Sequence, residues 1–497
     1  MKRSAGILLP IFSLPSPYGI GTMGKAAYRF IDFLLKANQS WWQILPVGPT
    51  NYGDSPYQSF SSFAGNPYFI DLELLKEEGL LDAEDLKADW GNDPAKIDYK
   101  QLYAYRLEVL QRAMKRGWNL EQAEIQRFSE ENSRWLADYS LFMALKRHFG
   151  MCPWTEWEED IRMRKPEAME RYRQMLAEDI QLFVYIQYLF FKQWNALRQY
   201  ANERQIGIIG DIPIYVAMDS ADVWAEPHWF QLNEKNRPRA VAGVPPDAFS
   251  ADGQLWGNPL YDWDAMKADG YGWWIRRIDG AAKLYDVIRI DHFRGFESYW
   301  AVPYEASTAK QGQWQKGPGM DLITVLKNWF PQVSYIAEDL GVQSAELSQI
   351  LQASGFPGMK VLEFAFDSRE PNNYLPHTYE KNCICYIGTH DNPPVMAWKE
   401  EADPNAIAYA KNYLGLTETA EFHWELLRCG MASVADVFIA QIQDYLALGA
   451  ESRINRPGIL ANNWQWRLRE EQLTDTLAWQ IAEMTWLYGR GRESWRA

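Results

Sequence analysis

Three short apolar runs in this chain each end on an acidic side chain, and this repetition strongly constrains the fold. The runs cover residues 284–290, 333–337 and 384–388, and the acids that follow them are Asp291, Glu338 and Asp391. Short, apolar, partly β-branched runs are typical of strands buried on both faces of a parallel sheet. In a (β/α)8 barrel the carboxyl ends of all strands meet on one face, where catalytic side chains gather. The sequence therefore predicts an α/β barrel of this type with three carboxylates in one cleft.

An arginine precedes the first of these acids on the same side of the strand. Arg289 and Asp291 are two residues apart, so their side chains point to one face of the sheet. An adjacent arginine keeps a carboxylate ionised and fixes its direction, as a covalent nucleophile requires. The alternative interpretation is an ion pair that only closes the barrel end. Two carboxyl groups suffice for glycoside chemistry, and a third can stabilise its cationic transition state.

The length of 497 residues suits a single catalytic barrel with large insertions. Strands are predicted near the N-terminus, over 41–47 and 206–214, and then near 284, 333, 359 and 384. We expect a mostly helical inserted subdomain over 48–175, after strand two, and a substrate-loop subdomain over 215–271, after strand three. The eighth strand is placed at Arg453-Ile454, behind an amphipathic helix over 434–448. No C-terminal β domain is expected.

Charge and cysteine content limit the partners. The chain carries 50 Lys plus Arg against 65 Asp plus Glu, a net charge of −15, which repels nucleic acid and anionic membrane surfaces. No segment approaches the ~18 uncharged apolar residues of a membrane span. The four cysteines form no Cys-x-x-Cys pair, and they indicate a reducing compartment. We therefore expect a cytoplasmic protein that binds neither nucleic acid nor membrane and acts on a neutral substrate.

Aromatic side chains in two predicted loops indicate that the substrate is a sugar. One loop, residues 52–58, contains Tyr57, and the other contains Gln254, Trp256 and Asn258. Sugar rings present apolar C–H faces and hydroxyl rims, so their sites combine flat rings with fixed polar groups. A single tryptophan is more often part of a core than of a site. Trp256, which lies in a predicted loop between Gly253 and Gly257, is predicted to be an exception.

Two of the six histidines, His292 and His390, lie next to candidate catalytic acids. A His/Asp metal site is conceivable, but no His-x-x-x-His or Glu-x-x-His spacing appears. We favour neutral imidazoles that hydrogen-bond substrate hydroxyls. A Ser/His/Asp hydrolase is disfavoured, because the chain has no Gly-x-Ser-x-Gly elbow.

Several ordered segments resemble the 4-α-glucanotransferases (amylomaltase or disproportionating enzyme) of glycoside hydrolase family 77 in the α-amylase clan. They are residues 53–58, 210–213, 245–261, 289–295, 337–341, 389–392, 455–458 and 463–467. The resemblance runs nearly end to end. One departure is Pro393-Pro394, which follows Asp391-Asn392 where the family commonly has Asp-Thr, so the shape of that loop is an open question.

The resemblance implies roles for these residues. Asp291 would be the nucleophile, Glu338 the general acid/base and Asp391 the transition-state stabiliser. The donor glucose would be held by Arg289, His292 and His390, with supporting substrate contacts from Asp211, Asp367, Tyr57, Gln254, Trp256 and Asn258. The implied chemistry requires no metal or organic cofactor.

The implied reaction is a retaining double displacement that moves α-1,4-glucan segments from a donor maltooligosaccharide to the 4-hydroxyl of an acceptor. Retention predicts carboxyl oxygens of Asp291 and Glu338 about 5 to 5.5 Å apart. Burial and neighbouring carboxylates are expected to raise the pKa of Glu338 towards the working pH. Two alternatives stay open from the residues alone: an α-1,4-glucan hydrolase of the same clan and a non-catalytic glucan-binding protein.

Overall fold

The computed structural model describes residues 1–51, 53–246, 250–341, 344–367, 373–417, 419–459, 461–492 and 495. Its strands are β1 (Ser4–Leu8), β2 (Trp41–Gln43), β3 (Gly207–Pro213), β4 (Ala240–Val244), β5 (Gln254–Pro259), β6 (Val287–Asp291), β7 (Ser298–Pro303), β8 (Gln313–Lys316), β9 (Ser334–Ala337), β10 (Gly358–Val361), β11 (Cys383–Tyr386) and β12 (Val437–Gln441).

The helices follow the strands in α/β alternation over much of the chain. They are α1 (Lys25–Lys36), α2 (Leu72–Glu77), α3 (Tyr99–Gly117), α4 (Gln122–Glu131), α5 (Leu136–His148), α6 (Glu159–Arg162), α7 (Pro166–Met175), α8 (Ala177–Glu203), α9 (Ala221–Ala225), α10 (Trp263–Ala268), α11 (Gly272–Leu284), α12 (Met320–Trp329), α13 (Ala345–Ser354), α14 (Val395–Glu401), α15 (Pro404–Leu414), α16 (Phe422–Ala432), α17 (Ile442–Tyr445) and α18 (Asp475–Leu487).

Eight strands form the barrel, in the order β10-β11-β12-β1-β2-β3-β6-β9, and each neighbouring pair is parallel. The ends of this order meet where the backbone N–H of Ala337 donates to the carbonyl of Pro357 at 3.0 Å. Strands β1, β11 and β12 are buried along their whole length. Burial on both faces explains why their sequences are continuous apolar runs. The predicted (β/α)8 barrel is confirmed.

The predicted position of the eighth strand is wrong. The structure places it at Val437–Gln441, inside the segment interpreted as a helix over 434–448, and it pairs with β1 and β11. Arg453-Ile454 instead follows a 3-10 helix at Ala450–Ser452 and lies outside any strand. A short apolar run buried on all sides has no distinctive period, so sequence does not separate a strand from a buried helix there.

Helices α2 to α7 lie within residues 48–175, beyond β2, and the long helix α8 then leads back to β3. Helix α8 contacts both α3 and α5 of this segment and α1 of the barrel layer. It therefore joins the helical segment to the barrel through one shared hydrophobic core. No helix in the described ranges combines the length and apolar character needed to cross a membrane.

A second, antiparallel sheet lies at the catalytic end of the barrel in the order β5-β4-β7-β8. The segment containing Gln254, Trp256 and Asn258 was interpreted from sequence as a loop, and the structure makes it strand β5. Its glycine and polar residues have low strand propensity, so the local sequence does not predict a strand. Pairing with β4 stabilises the extended backbone. Strand β7 begins soon after Asp291, so this sheet is attached directly to the end of β6.

Candidate active site

Asp291 is the last residue of β6, and Arg289 holds it in place. Nη1 of Arg289 lies 3.0 Å from Oδ1 of Asp291 and 2.5 Å from Oδ2 of Asp211 on β3. The hydroxyl of Tyr57 donates to the same Asp211 oxygen at 2.8 Å. The side chains of Arg289 and Asp211 are buried, whereas 27% of the Asp291 side chain is exposed. Asp291 is thus an accessible carboxylate whose negative charge is balanced by a buried, oriented arginine.

Glu338 follows β9, the barrel strand next to β6. Its Oε2 accepts the backbone N–H of His292 at 2.7 Å, and its Oε1 accepts that of Leu340 at 2.8 Å. Burial, and then the negative charge of Asp291, raise the pKa of Glu338 to about 8, although Arg289 and the two N–H donors oppose the shift. At neutral pH the carboxyl therefore carries a proton that it can give to a leaving group.

Asp391 lies in the turn after β11. Its Oδ1 accepts the side-chain N–H of Asn455 at 2.6 Å and lies 3.4 Å from Nε2 of His390. Within the turn, Oδ1 of Asn392 accepts the backbone N–H and the hydroxyl of Thr389, each at 3.0 Å. Pro394 then precedes the first residue of α14, so the proline pair lies between this turn and that helix.

The indole of Trp256 contacts the imidazole of His292 edge to face, with ring centroids 4.8 Å apart. Its N–H donates to Oε1 of Gln254 at 3.1 Å, which fixes both side chains on β5. Burial lowers the pKa of His292 to about 4, so its imidazole is neutral at pH 7. No described residue lies within hydrogen-bonding reach of its buried Nε2. This nitrogen is available for a substrate hydroxyl.

Tyr57 links two parts of the site. Its ring stacks on His390, with centroids 5.2 Å apart and planes 15° from parallel, and both rings lie about 6.0 Å from Trp464. Tyr57 therefore contacts Asp211 through its hydroxyl and His390 through its face. Asn258 is buried next to Gln58, which follows Tyr57 in the chain. Its amide donates to the carbonyl of Val216 at 2.8 Å, and its Oδ1 accepts from Gln58 at 3.2 Å.

The structure brings most of the predicted residues into two groups of direct contacts. One group contains Arg289, Asp291, Asp211, Tyr57, His390 and Asp391, and the other contains Glu338, His292, Trp256 and Gln254. Asp367 is half-buried beyond the 3-10 helix Leu362–Phe364, at the border of the undescribed residues 368–372.

Sequence reasoning missed the residues that support Asp391. Besides Asn455, Arg453 donates through Nη2 to the carbonyl of Asp391 at 2.9 Å. From the sequence, Arg453 was predicted to lie in the eighth strand, and Asn455 was noted only as part of a family-like segment. Contacts between residues more than 60 positions apart leave no local signal, so only the fold reveals them.

Two further buried acids were also missed, Glu363 after β10 and Asp444 in α17. Burial raises the pKa of Asp444 to about 7, although its oxygens accept the backbone N–H groups of Val395 and Gln441. Burial, followed by the charge of Asp444, raises the pKa of Glu363 well above its ordinary value. Within the described ranges, no group of three or more His, Cys, Asp and Glu side chains is arranged to hold a metal ion.

The fold and the site together define a class of protein. A barrel that presents an arginine-held carboxylate, a protonated carboxyl beside it and a third acid at its catalytic end has the groups of a glycoside-processing enzyme. The aromatic rings of Tyr57 and Trp256 beside these acids suit a sugar substrate.

Comparison with known proteins narrows this class. The sequence profile of glycoside hydrolase family 77, described as 4-α-glucanotransferase, matches residues 9–474. The 4-α-glucanotransferase of Clostridium butyricum is 48% identical over 487 residues, 97% of this chain and 99% of that one. That of Streptococcus pneumoniae serotype 4 is 45% identical over 497 residues, covering 99% and 98%. An amylomaltase from Streptococcus agalactiae, solved with acarbose, superimposes with a TM-score of 0.97 at 43% identity over 99% of this chain and all of that one.

The chain therefore belongs to the 4-α-glucanotransferase family, glycoside hydrolase family 77.

Proposed function

We propose that this enzyme transfers α-1,4-glucan segments between maltooligosaccharides by double displacement, with Asp291 as nucleophile and Glu338 as general acid and then base. The observation that carries this assignment is the contrast between the two carboxyls. Arg289 balances the charge of Asp291, whereas burial and Asp291 itself raise the pKa of Glu338 to about 8. One group is thereby prepared to attack and the other to donate a proton.

In the first step, a carboxylate oxygen of Asp291 forms a bond to the anomeric carbon of the donor glucan. The glycosidic C–O bond breaks, and its oxygen takes the proton of Glu338, which leaves a covalent glycosyl-enzyme. In the second step, the 4-hydroxyl of an acceptor attacks the anomeric carbon and gives its proton to Glu338, while the bond to Asp291 breaks. The two inversions restore the original anomeric configuration and regenerate both carboxyls.

Other residues in the site are suited to hold the sugar during these steps. Asp391, kept in position by Asn455 and Arg453, supplies negative charge for the oxocarbenium-like transition state. The neutral imidazole of His292 and the imidazole of His390 are placed to bind hydroxyls beside Asp291 and Asp391, and Trp256 offers a flat apolar ring. We assign Asp211, Tyr57, Gln254, Asn258 and Asp367 to substrate contacts or to the orientation of those groups.

Donor and acceptor are proposed to be the same class of molecule, neutral α-1,4-glucans. The net charge of −15 disfavours polyanionic partners such as nucleic acid. The four cysteines are free thiols, which supports a reducing compartment such as the cytoplasm. Recovery of the transfer activity in a cytosolic fraction of the source cells would test this location.

Incubation of the purified protein with maltotriose tests the proposal directly, with product lengths and total reducing ends followed over time. Transfer predicts glucose together with longer maltodextrins at a constant number of reducing ends. A rise in reducing ends would identify a hydrolase, and no change would favour a binding protein. Asp291→Asn should abolish turnover while retaining maltotriose binding, because it removes the nucleophile and keeps the side-chain shape.

A further inference from the structure

The antiparallel sheet at the catalytic end has two faces of different character. Trp256 on β5 faces the barrel and His292. On the opposite, outer face, strand pairing places four residues in one row: Leu255 on β5, Gly243 on β4, Trp300 on β7 and Trp314 on β8. Directly paired residues of antiparallel strands share a face, so this row crosses the whole sheet.

The row is only partly covered by the rest of the chain. The segment after β7 folds back over Val241 and Val302, which are buried with Ala309 in a small separate cluster. Leu255 and Trp314 remain 41% exposed, at the two edges of the sheet. Gly243 between them is buried, so the exposed part of the row lies at its two ends, and Trp314 presents the larger ring.

Both indoles are held in fixed positions. Trp300 donates its N–H to the carbonyl of Ala309 at 2.8 Å and meets Trp314 edge to face, with centroids 5.2 Å apart. The guanidinium of Arg294 lies over the ring of Trp314, 4.5 Å from its centroid. With one face under Arg294 and an edge against Trp300, the exposed area of Trp314 lies on its other face. A rigid exposed ring binds at a lower entropic cost than a mobile one.

Polar groups border this ring. The next row on the same face pairs Ser298 with Lys316, whose side chain is exposed. Ser298 donates to Oε2 of Glu297 at 2.6 Å, so a serine hydroxyl and a carboxylate lie in the row next to the indole, where the strand register also places Lys316. A flat apolar ring with hydrogen-bonding groups at its rim matches a pyranose, which has C–H faces and hydroxyl edges.

The ring is also connected to the active site through the backbone. Arg294 is two residues beyond His292, and the backbone N–H of Gly317, directly after β8, donates to the carbonyl of Glu297 at 2.7 Å. The hairpin β7–β8 carries both indoles. The start of β7 and the end of β8 are both connected to the turn that follows the nucleophile. A long glucan held on this hairpin would lie close to the cleft.

We propose that the outer face of the sheet, centred on Trp314 and Trp300, is an accessory site for α-1,4-glucan chains. The proposal rests on the proposed glucan substrate. A chain long enough to occupy both the cleft and this face binds at two points, which raises its effective concentration at the cleft. Maltotriose has only three glucose units and gains less from a second point of contact than a long glucan does, so the accessory site selects for longer glucans.

Trp314→Ala tests this site by comparing kcat/KM for short-chain amylose with kcat/KM for maltotriose. The ratio of the two should fall roughly 3- to 10-fold, the range expected when one aromatic contact is lost. Trp314→Phe should lose less, because it keeps a flat ring. Mobility in a native gel containing amylose should rise for Trp314→Ala, since the glucan retards it less.

Trp329→Ala is the matched control. Trp329 is more exposed, at 63%, but it ends α12, which runs from the catalytic end towards the opposite end of the barrel. The ratio of kcat/KM for amylose to kcat/KM for maltotriose, and the mobility in the amylose gel, should be the same for Trp329→Ala as for the wild type. An unchanged ratio in Trp314→Ala, or a change in its oligomeric state by sedimentation, would overturn the accessory site. Absence of maltotriose transfer in the wild type would instead refute the proposed function.

Discussion

At the residue scale, the site depends on giving neighbouring carboxyls different environments. Glu338 and Asp291 are close enough for the charge of one to raise the pKa of the other, yet only Asp291 contacts Arg289 through a hydrogen bond. Burial then adds to the difference. The same side-chain chemistry thereby gives an acid and a nucleophile at one pH.

This difference predicts the pH dependence of donor cleavage. Glu338 must be protonated to assist the leaving group, and its pKa is raised to about 8. The value of kcat/KM for maltotriose should therefore stay high below that pH and fall as pH rises through it. A maltotriosyl fluoride donor is the control, because fluoride leaves without a proton. An alkaline fall that persists with the fluoride would exclude Glu338 as its cause.

Removing the proton itself should be more damaging. Glu338→Gln keeps the shape of the side chain but has no acidic proton, so kcat for maltotriose should fall by roughly 100- to 10,000-fold. With maltotriosyl fluoride, the rate of the first displacement, measured as fluoride release, should fall by a much smaller factor. If both donors lost the same factor, Glu338 would have a structural role instead.

Asn455 gives a test of how Asp391 is oriented. Its amide donates to Oδ1 of Asp391 at 2.6 Å, the shortest side-chain contact described for that acid. Asn455→Ala should reduce kcat by roughly 10- to 100-fold with little change in KM, because the charge of Asp391 remains and its direction is lost. Asn405→Ala, at an exposed position on α15, is the matched control and should keep the wild-type kcat.

At the scale of single elements, sequence predicted what local pattern controls. The ends of β6, β9 and β11 were found from apolar runs that stop at Asp291, Glu338 and the turn of Asp391, because polar groups rarely follow buried strands without cause. β12 was missed, since a strand buried on all sides resembles a buried helix. β5 was missed for the opposite reason: its sequence is polar, and only pairing with β4 makes it a strand.

The turn after β11 shows how an element positions an acid. Gly388 precedes Thr389, and a Cβ added there would lie 2.9 Å from Cβ of Asn392 and 3.0 Å from Oε1 of Glu363. Asn392 closes the turn that carries Asp391. A side chain at position 388 would therefore have to displace Asn392 or Glu363, and with Asn392 the turn that carries Asp391.

Gly388→Ala should therefore displace the turn and lower kcat by about 10-fold or more, an estimate for a small misplacement of a catalytic group. Thermal unfolding of the same variant shows how far its fold is affected. Gly415→Ala is the control. It lies at the end of α15 with a φ of +63° and no atom within 4 Å of the added Cβ, so it should lose about 1 kcal/mol of stability and no kcat. Equal kcat losses in both variants would point to general destabilisation.

At the scale of the whole molecule, one group of buried acids lies at the catalytic end of the barrel, whereas the buried Asp436 precedes β12 at the opposite end. Arg289 with Asp211, Glu338, Glu363 and Asp444 all lie at or just beyond the carboxyl ends of barrel strands. The sequence predicted this arrangement for the three site acids, because each ends an apolar run. It gave no indication of Asp444, which caps a helix after a strand that was itself unrecognised.

These buried acids make global stability depend on pH in a defined direction. Burial raises the pKa of Asp444 to about 7 in the folded protein, so the folded state keeps a proton that the unfolded chain releases from about pH 4 upward. A raised carboxyl pKa contributes stability at low pH, and that contribution is lost as pH rises towards 7. Its upper limit is roughly 4 kcal/mol, from about 1.4 kcal/mol per pKa unit. Glu363, also raised, acts in the same direction.

Asp444→Asn isolates this contribution, because an amide cannot ionise but can still accept one of the two capping N–H bonds. The free energy of unfolding in urea, measured from pH 4.5 to 7.5, should favour the wild type most at low pH, and the advantage should shrink as pH rises. Asp475→Asn, whose side chain is 85% exposed, should differ from the wild type by a nearly constant amount. A difference for Asp444→Asn that grew with pH would mean that Asp444 is ionised in the folded protein, with its two N–H donors outweighing its burial.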